Sequence, residues 1–251
     1  MQQSRIAANT ARSSQPLPLD AVRRLLPTLA LLAGAALAAT LGDAQALYAS
    51  GRLQEAAAAA AALGTAPALT LAARASNVLA GTLPARDQEG AYRRAHDYAS
   101  RAIGLDARFP PAYLERARAT GRIAEMVGPL RALADGSATR ARDDLETALR
   151  LDPRSPDAMV GLGAWHARVA AAGAAWLYGA DAIRVQPYFE EAIRLSPRVI
   201  AFRVEYAVAL RALGKPDQAR AQVEAAVKLT PDDYAERLEL ERARKLLAEY
   251  R

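Results

Sequence analysis

The sequence predicts an all-α protein, an α-solenoid of antiparallel helical hairpins, and three observations carry that prediction. Composition is the first: 52% of the 251 residues are hydrophobic but only 6% are aromatic. Alanine dominates the apolar fraction, which suits closely packed helices better than strands, since strands favour branched and aromatic side chains. The second is punctuation. Apolar stripes of helical period stop at a proline and soon restart, in ALRLDPRSPDAMVGLGAWH (148–166), AIRLSPRVIAFRVEYAVAL (192–210) and AVKLTPDDYAERLELERA (226–243). The third is spacing: Pro197 and Pro231 stand 34 residues apart, a separation that fits one helical hairpin per repeat.

The elements follow in chain order. Residues 1–38 read as an N-terminal export signal, because Arg5, Arg12, Arg23 and Arg24 precede the uncharged run LLPTLALLAGAALAATL and Ala36-Leu37-Ala38 supplies an A-x-A cleavage site. The run falls short of the roughly 20 residues that span a bilayer comfortably, and a retained membrane anchor is the alternative. Residues 40–251 read as one continuous solenoid of about five hairpins. GDAQALYASGRLQEAAAAAAAL forms the first, with Gly51 at its turn and Ala56 beyond it, and has little bulk elsewhere. The second runs from Leu71 and Ala75 through Ala95, Ala99 and Ala102, and the third from Tyr113 and Ala117 through Ala141, Leu145 and Ala148 to Pro153. Leu162-Gly163 and His166 open the fourth, which Phe189, Ala192 and Pro197 close. In the fifth, Tyr206, Ala207 and Leu210 alternate large and small, Gly214 turns the chain, and Ala219, Val223 and Ala226 admit the neighbouring helix before Pro231 stops it. Residues 232–250 form a capping helix with Asp232 or Asp233 at its start and an apolar stripe through Tyr234, Leu238, Leu246, Leu247 and Tyr250.

The large-small-large pattern, the turn glycine and the 34-residue period resemble the tetratricopeptide repeat (TPR) family. That resemblance implies a superhelix whose concave surface is lined by the first helix of each hairpin and which binds another protein or a peptide. On this projection Arg118, Arg122, Arg168 and Arg211 face the concave side, with Glu115 and Glu205 among them. Such a surface is either a recognition face of mixed charge or a solvated face carrying helix-spaced pairs such as Glu115 with Arg118. The lysines and asparagines with which some TPR proteins clamp a terminal carboxylate are not matched here.

Two hairpins depart from the period. Ala107 to Pro153 spans 46 residues and Pro153 to Pro197 spans 44, while the second helices keep their spacing. The excess therefore belongs at the end of each first helix or in the turn that follows, and the second hairpin looks similarly stretched around GTLPARDQEG (81–90). Insertions at equivalent points of stacked repeats project from one edge, which often binds partners. The fourth hairpin's insertion, AAGAAWLYGADAIRVQPY (171–188), holds Trp176 and Tyr178 in a chain whose only other tryptophan is Trp165. These aromatics either plug the gap left by a lengthened helix or anchor a partner.

Charge and motif searches narrow the function. The formal charge is +6, and the four arginines and Asp20 of residues 1–38 account for half of it, leaving too little for nucleic-acid binding. There is no cysteine, which excludes disulfides, thiolate zinc sites and cysteine nucleophiles. His96 and His166 fall in different repeats without metal-ligand spacing, and His166 takes an inward position expected of a core histidine. Neither His96-Asp97, nor Asp143-Asp144, nor Glu190-Glu191 is expected to act as a catalytic pair, and Gly161-x-Gly163 lacks the third glycine and the strand of a dinucleotide site. No catalytic residue, metal or cofactor is expected. The leading reading is a non-enzymatic scaffold of the periplasm or wider cell envelope that binds another protein, through Trp176, Tyr178, Arg118, Arg122, Arg168 and Arg211. Alternatives are a solute-binding accessory component of a periplasmic transport system and a membrane-anchored assembly factor.

Overall fold

A computed structural model describes residues 40–250; the expected export signal lies outside them. The described chain is helical, with no strand. Helices α1 (Leu41–Ser50) and α2 (Leu53–Leu63) form the first hairpin, and α3 (Ala66–Thr82) and α4 (Ala85–Leu105) the second. The third pairs α5 (Pro110–Val127) with α7 (Ser137–Leu151), with α6 (Pro129–Ala134) in the connection. The fourth pairs α8 (Pro156–Ala171) with α10 (Val185–Leu195), and its connection holds α9 (Ala175–Tyr178) and a 3-10 turn at Ala182–Arg184. Helices α11 (Ile200–Ala212) and α12 (Pro216–Ala226) make the fifth, and α13 (Tyr234–Ala248) packs on both as the cap. This is a TPR-type α-solenoid.

Local chemistry explains where the helices begin. Thr40 and Asp43 cap α1 reciprocally: Thr40 Oγ1 accepts from the Asp43 N–H at 3.1 Å, while Asp43 Oδ2 accepts from the Thr40 N–H at 2.8 Å. Ser155 caps α8 and Asp233 caps α13 in the same way, by accepting from the N–H three residues on. Pro67, Pro110, Pro156 and Pro216 stand in first turns, where a missing N–H costs nothing and the fixed φ suits the helix.

Packing is close because small residues line the interfaces. Ala60, Ala72, Ala75, Ala95, Ala99 and Ala102 are fully buried, as are Ala219 and Ala226. At Gly163 an added Cβ would stand 2.8 Å from Cε2 of the buried Phe189, so α8 and α10 touch at a distance only glycine allows. Phe189 in turn stacks on Tyr206 with ring centroids 4.6 Å apart, which joins the fourth hairpin to the fifth.

Two expectations change on contact with the structure. The second hairpin carries no insertion at GTLPARDQEG: only Leu83 and Pro84 separate α3 from α4, and the extra length is helical, with α4 running 21 residues. On α7 the Asp143-Asp144 pair, expected as a solvated face, divides: Asp143 is 56% exposed, whereas Asp144 is buried and bound by Arg116 at 2.6 Å. No helix of the described residues is long and apolar enough to cross a membrane.

The inner wall returns on itself. Besides α11 and α12, α13 reaches α1, where the Tyr234 ring lies so near Gly51 that an added Cβ would meet it at 2.6 Å. Gly51 adopts φ 88°, which ends α1 in the left-handed region and turns the chain into α2.

Candidate functional site

The concave side is built from α3, α5, α8, α11 and α13, and on it five arginines meet five carboxylates. Glu115 of α5, only 1% exposed, accepts from Arg74 Nε of α3 at 2.8 Å, from Asn77 Nδ2 at 3.0 Å and from Arg118 at 3.3 Å. Arg118 also reaches Asp157 of α8 at 3.7 Å. Glu205 of α11, 15% exposed, binds Arg122 at 3.0 Å, Arg168 at 3.2 Å and Arg242 at 2.7 Å, from three different helices. Glu125 bridges Arg122 and Arg168 at 2.9 and 3.1 Å, and Glu239 takes Arg242 at 3.4 Å.

Electrostatics decides what this lattice does. Burial pushes the Glu205 carboxyl up, but Arg122, Arg242 and Arg168 together outweigh it and hold the group well below the usual carboxylate range. Glu115 follows the same balance, with Arg118 and Arg74 overcoming its burial. Each guanidinium in the lattice already has a carboxylate, so the surface balances its own charge. Arg118, Arg122 and Arg168 therefore sit where the sequence reading puts them, but they hold helices together there. Helix-spaced pairing of Glu115 with Arg118 is present, yet Glu115 is buried rather than solvated. Arg211 lies apart from the lattice and binds Glu249 just beyond α13 at 2.5 Å. Arg74, Arg242, Glu125 and Glu239 escape the sequence reading; the first-helix register of Arg74 was the available signal, and Glu125 stands three residues from Arg122.

The second surface is the inserted edge. Trp176 is 84% exposed, Leu177 58% and Ile183 82%, all within eight residues. Tyr178 behaves differently, packing half-buried against the cluster of Ala117, Leu145, Leu162 and Trp165. The gap-plugging role thus belongs to Tyr178 alone of these two, while Trp176 faces outward. Trp165 does not join it: it is 5% exposed, donates Nε1–H to the Ala138 carbonyl at 2.8 Å and meets His166 edge to face.

Side chains below the edge fix its conformation. His166 Nδ1 accepts from the Asp181 backbone N–H at 3.0 Å, and the ring stacks on Tyr188. Burial, then the nearby Arg184, lowers the His166 pKa, so the imidazole is neutral and keeps its acceptor at pH 7. Arg142 donates to the Tyr178 carbonyl at 3.1 Å while its guanidinium lies 5.5 Å from the Trp165 ring centre. A cavity of ≈ 250 Å³ opens between Ile183 and the α11–α12 turn, lined by Ala182, Val185, Leu210, Leu213 and Lys215 among others, without an aromatic ring.

No group of three or more His, Cys, Asp or Glu able to hold a metal occurs among the described residues. His96 Nδ1 comes within 3.6 Å of Asp97 Oδ1, nearer than adjacent positions on a helix suggest, but both side chains are open to solvent.

Comparison with known proteins agrees with this fold. The sequence model described as "Regulator of microtubule dynamics protein 1-3" matches residues 43–251. The chain belongs to that family. No curated protein matches the chain in sequence. A thermophilic TPR protein of Thermus thermophilus is similar in structure, with a TM-score of 0.59 and 21% identity over 82% of this chain and 97% of that one. One chain in the crystal structure of the APC/C hetero-tetramer Cut9-Hcn1 is similar with a TM-score of 0.52 and 15% identity, covering 92% of this chain and 41% of that one. At these identities the likeness establishes the TPR fold, and the family match begins at residue 43, near the start of α1, and covers the rest of the sequence.

Proposed function

We propose that the chain is a non-enzymatic protein-interaction scaffold of the cell envelope that docks another protein on its inserted edge. One observation carries the reading: Trp176, Leu177 and Ile183 stand in water on a segment whose backbone is pinned from below. A rigid aromatic that is exposed before binding loses little conformational entropy on binding and gains much contact area. A solute-binding accessory would call for an enclosed aromatic pocket, and the exposed Trp176 favours a protein partner instead. The family's printed name, regulation of microtubule dynamics, also suits a protein that acts by binding other proteins rather than by chemistry. Export rests on residues 1–38, and N-terminal sequencing of the mature protein tests it: an end near Ala39 supports cleavage, and an intact start supports the anchored alternative.

Affinity capture from an envelope extract, using the full chain beside Trp176→Asp, tests the docking edge. Loss of a stoichiometric protein in the variant, with an unchanged circular dichroism spectrum, supports the reading. Capture that ignores the variant moves the contact elsewhere and contradicts it.

A further inference from the structure

Three of the turns that join one hairpin to the next share one geometry. Asp106-Ala107-Arg108-Phe109, Asp152-Pro153-Arg154-Ser155 and Ser196-Pro197-Arg198-Val199 each close with a bond from the fourth N–H to the first carbonyl, at 3.3, 3.1 and 3.4 Å. Each turn puts an arginine third, and all three arginines are exposed. Because neighbouring helices run antiparallel, these turns lie together on one edge, opposite the edge that carries Trp176.

Charge on this edge is arranged unlike charge on the inner wall. The wall pairs its guanidinium groups with carboxylates, whereas Arg108, Arg154 and Arg198 enter no ion pair among the described residues. The acids nearest them in sequence are turned to the backbone: Asp106 Oδ1 accepts from the Arg108 N–H at 2.8 Å and Asp152 Oδ1 from the Arg154 N–H at 3.1 Å. Ser196 takes their place in the third turn. Arg150 and Lys228, also exposed and outside any ion pair, add positive charge at the ends of α7 and α12. Glu191 neutralises Arg194, and the acidic Asp232-Asp233 ends the row at the next turn. The edge thus holds a short file of uncompensated arginines and a positive local field.

The file has a definite interval. The helices that follow the three turns, α5, α8 and α11, pack side by side, and packed helices lie roughly 8–10 Å apart. The arginines recur at about that step. A chain in the polyproline II conformation has three residues per turn and rises about 3.1 Å per residue, so every third side chain returns to one face after about 9 Å.

We propose that this edge is a second docking surface, and that its partner is an extended acidic protein segment with carboxylates at positions i, i+3 and i+6, one for each of Arg108, Arg154 and Arg198. A guanidinium presents two parallel donors that match the two oxygens of a carboxylate. The turns fix the backbone of each arginine before the partner arrives, which reduces the entropy lost on binding. A flat anionic surface fits less well, because it would meet Asp106 and Asp152 together with the arginines, whereas a single strand can follow the file. The inference is independent of the inserted edge.

The experiment uses the full chain as wild type, as the row variant Arg108→Glu, Arg154→Glu, Arg198→Glu, and as the control variant Arg94→Glu, Arg131→Glu, Arg244→Glu. The control makes the same charge change at exposed arginines of α4, α6 and α13 that enter no ion pair among the described residues. Fluorescence anisotropy at about 50 mM salt, low enough to limit screening, follows two fluorescein-labelled peptides. One consists of three Glu-Pro-Pro triplets, and the other has the same composition with its three glutamates adjacent. The proposal expects the spaced peptide to bind wild type and the control variant alike and the row variant at least tenfold more weakly. The clustered peptide should bind wild type at least threefold more weakly than the spaced one. Trp176→Asp should bind the spaced peptide as wild type does, so failure of the inserted edge and failure of this one are told apart. Absence of binding overturns the proposal, and so do equal losses in the two triple variants, which would reduce the effect to net charge. Equal affinity for the two peptides also overturns it, as does row-dependent binding of phosphatidylserine vesicles without binding of the peptide.

Discussion

Arg242 Nη1 on the cap helix lies 2.7 Å from Glu205 Oε1, on a carboxylate that also binds Arg122 and Arg168 from two other helices. One anion thus joins four helices of the inner wall.

Removing that anion should cost stability. Glu205→Gln keeps the shape but leaves three guanidinium groups facing one another. Breaking a buried pair costs about 3–5 kcal/mol. The arginines are about one-third exposed, so solvent screening reduces the expected loss to about 2 kcal/mol. Urea unfolding monitored by circular dichroism reads the midpoint; a change below about 0.5 kcal/mol, the range of ordinary surface substitutions, would assign the lattice no structural role.

Acid should act through the same groups. Glu205 and Glu115 have folded pKa values below their ordinary value of 4.5, so the unfolded chain binds more protons. Their contribution is complete above pH 4.5 and is lost as pH falls below it toward the folded values. Stability measured from pH 6 down to 3 should therefore fall steeply below 4.5 in wild type and less steeply in Glu205→Gln. Parallel profiles would contradict the assignment.

His166 sets a milder pH response on the inserted edge. Its pKa lies below 6.5 in the folded chain, so its contribution is full above pH 6.5 and declines as pH drops beneath that value. Protonation removes the acceptor of the Asp181 N–H. Amide exchange at Asp181, corrected for its intrinsic pH dependence, should accelerate between pH 6.5 and 5 while the amides of α11 do not. Equal behaviour of both would place the histidine's effect elsewhere.

Two glycines in helix interiors should respond to alanine with opposite signs. Gly163→Ala drives a methyl to 2.8 Å from Phe189 and should cost about 1–3 kcal/mol through overpacking. Gly121→Ala in α5 meets nothing within 4 Å and should gain about 0.5–1 kcal/mol from helix propensity. Paired thermal melts settle both, and a stable Gly163→Ala would mean that α8 and α10 pack less tightly than described.

The two tryptophans should separate by fluorescence. Trp176 is open to water and Trp165 is enclosed. Acrylamide should quench Trp165→Phe strongly, because only Trp176 remains, and Trp176→Phe weakly. Trp165→Phe should also lose about 1 kcal/mol with its bond to the Ala138 carbonyl. Equal quenching would contradict the outward orientation of Trp176.

Much of the fold was legible because it is written in local signals. Pro156, Pro197, Gly214 and Pro231 punctuate the helices, and the 34-residue period is met in full by the last hairpin, where Ala219, Val223 and Ala226 are all fully buried. The excess lengths of the third and fourth hairpins correspond to α6 and α9. The second hairpin misled, because a longer helix and a longer loop give the same extra spacing. The inner lattice was legible only in part. Arg118 and Glu115 are three residues apart, whereas Arg242 and Glu205 meet across 37 residues because α13 folds back, and no periodicity records that return. Nor does sequence distinguish Tyr178 turned inward from Trp176 turned outward two residues earlier.

The most direct test of the scaffold reading places a photo-crosslinking amino acid at position 176, or at the exposed Gln218 on α12, in the full chain expressed in cells. The account predicts one discrete protein adduct from position 176 and none of matching mass from position 218. Identical adducts from both positions, or none from position 176, would contradict an edge built to dock a partner.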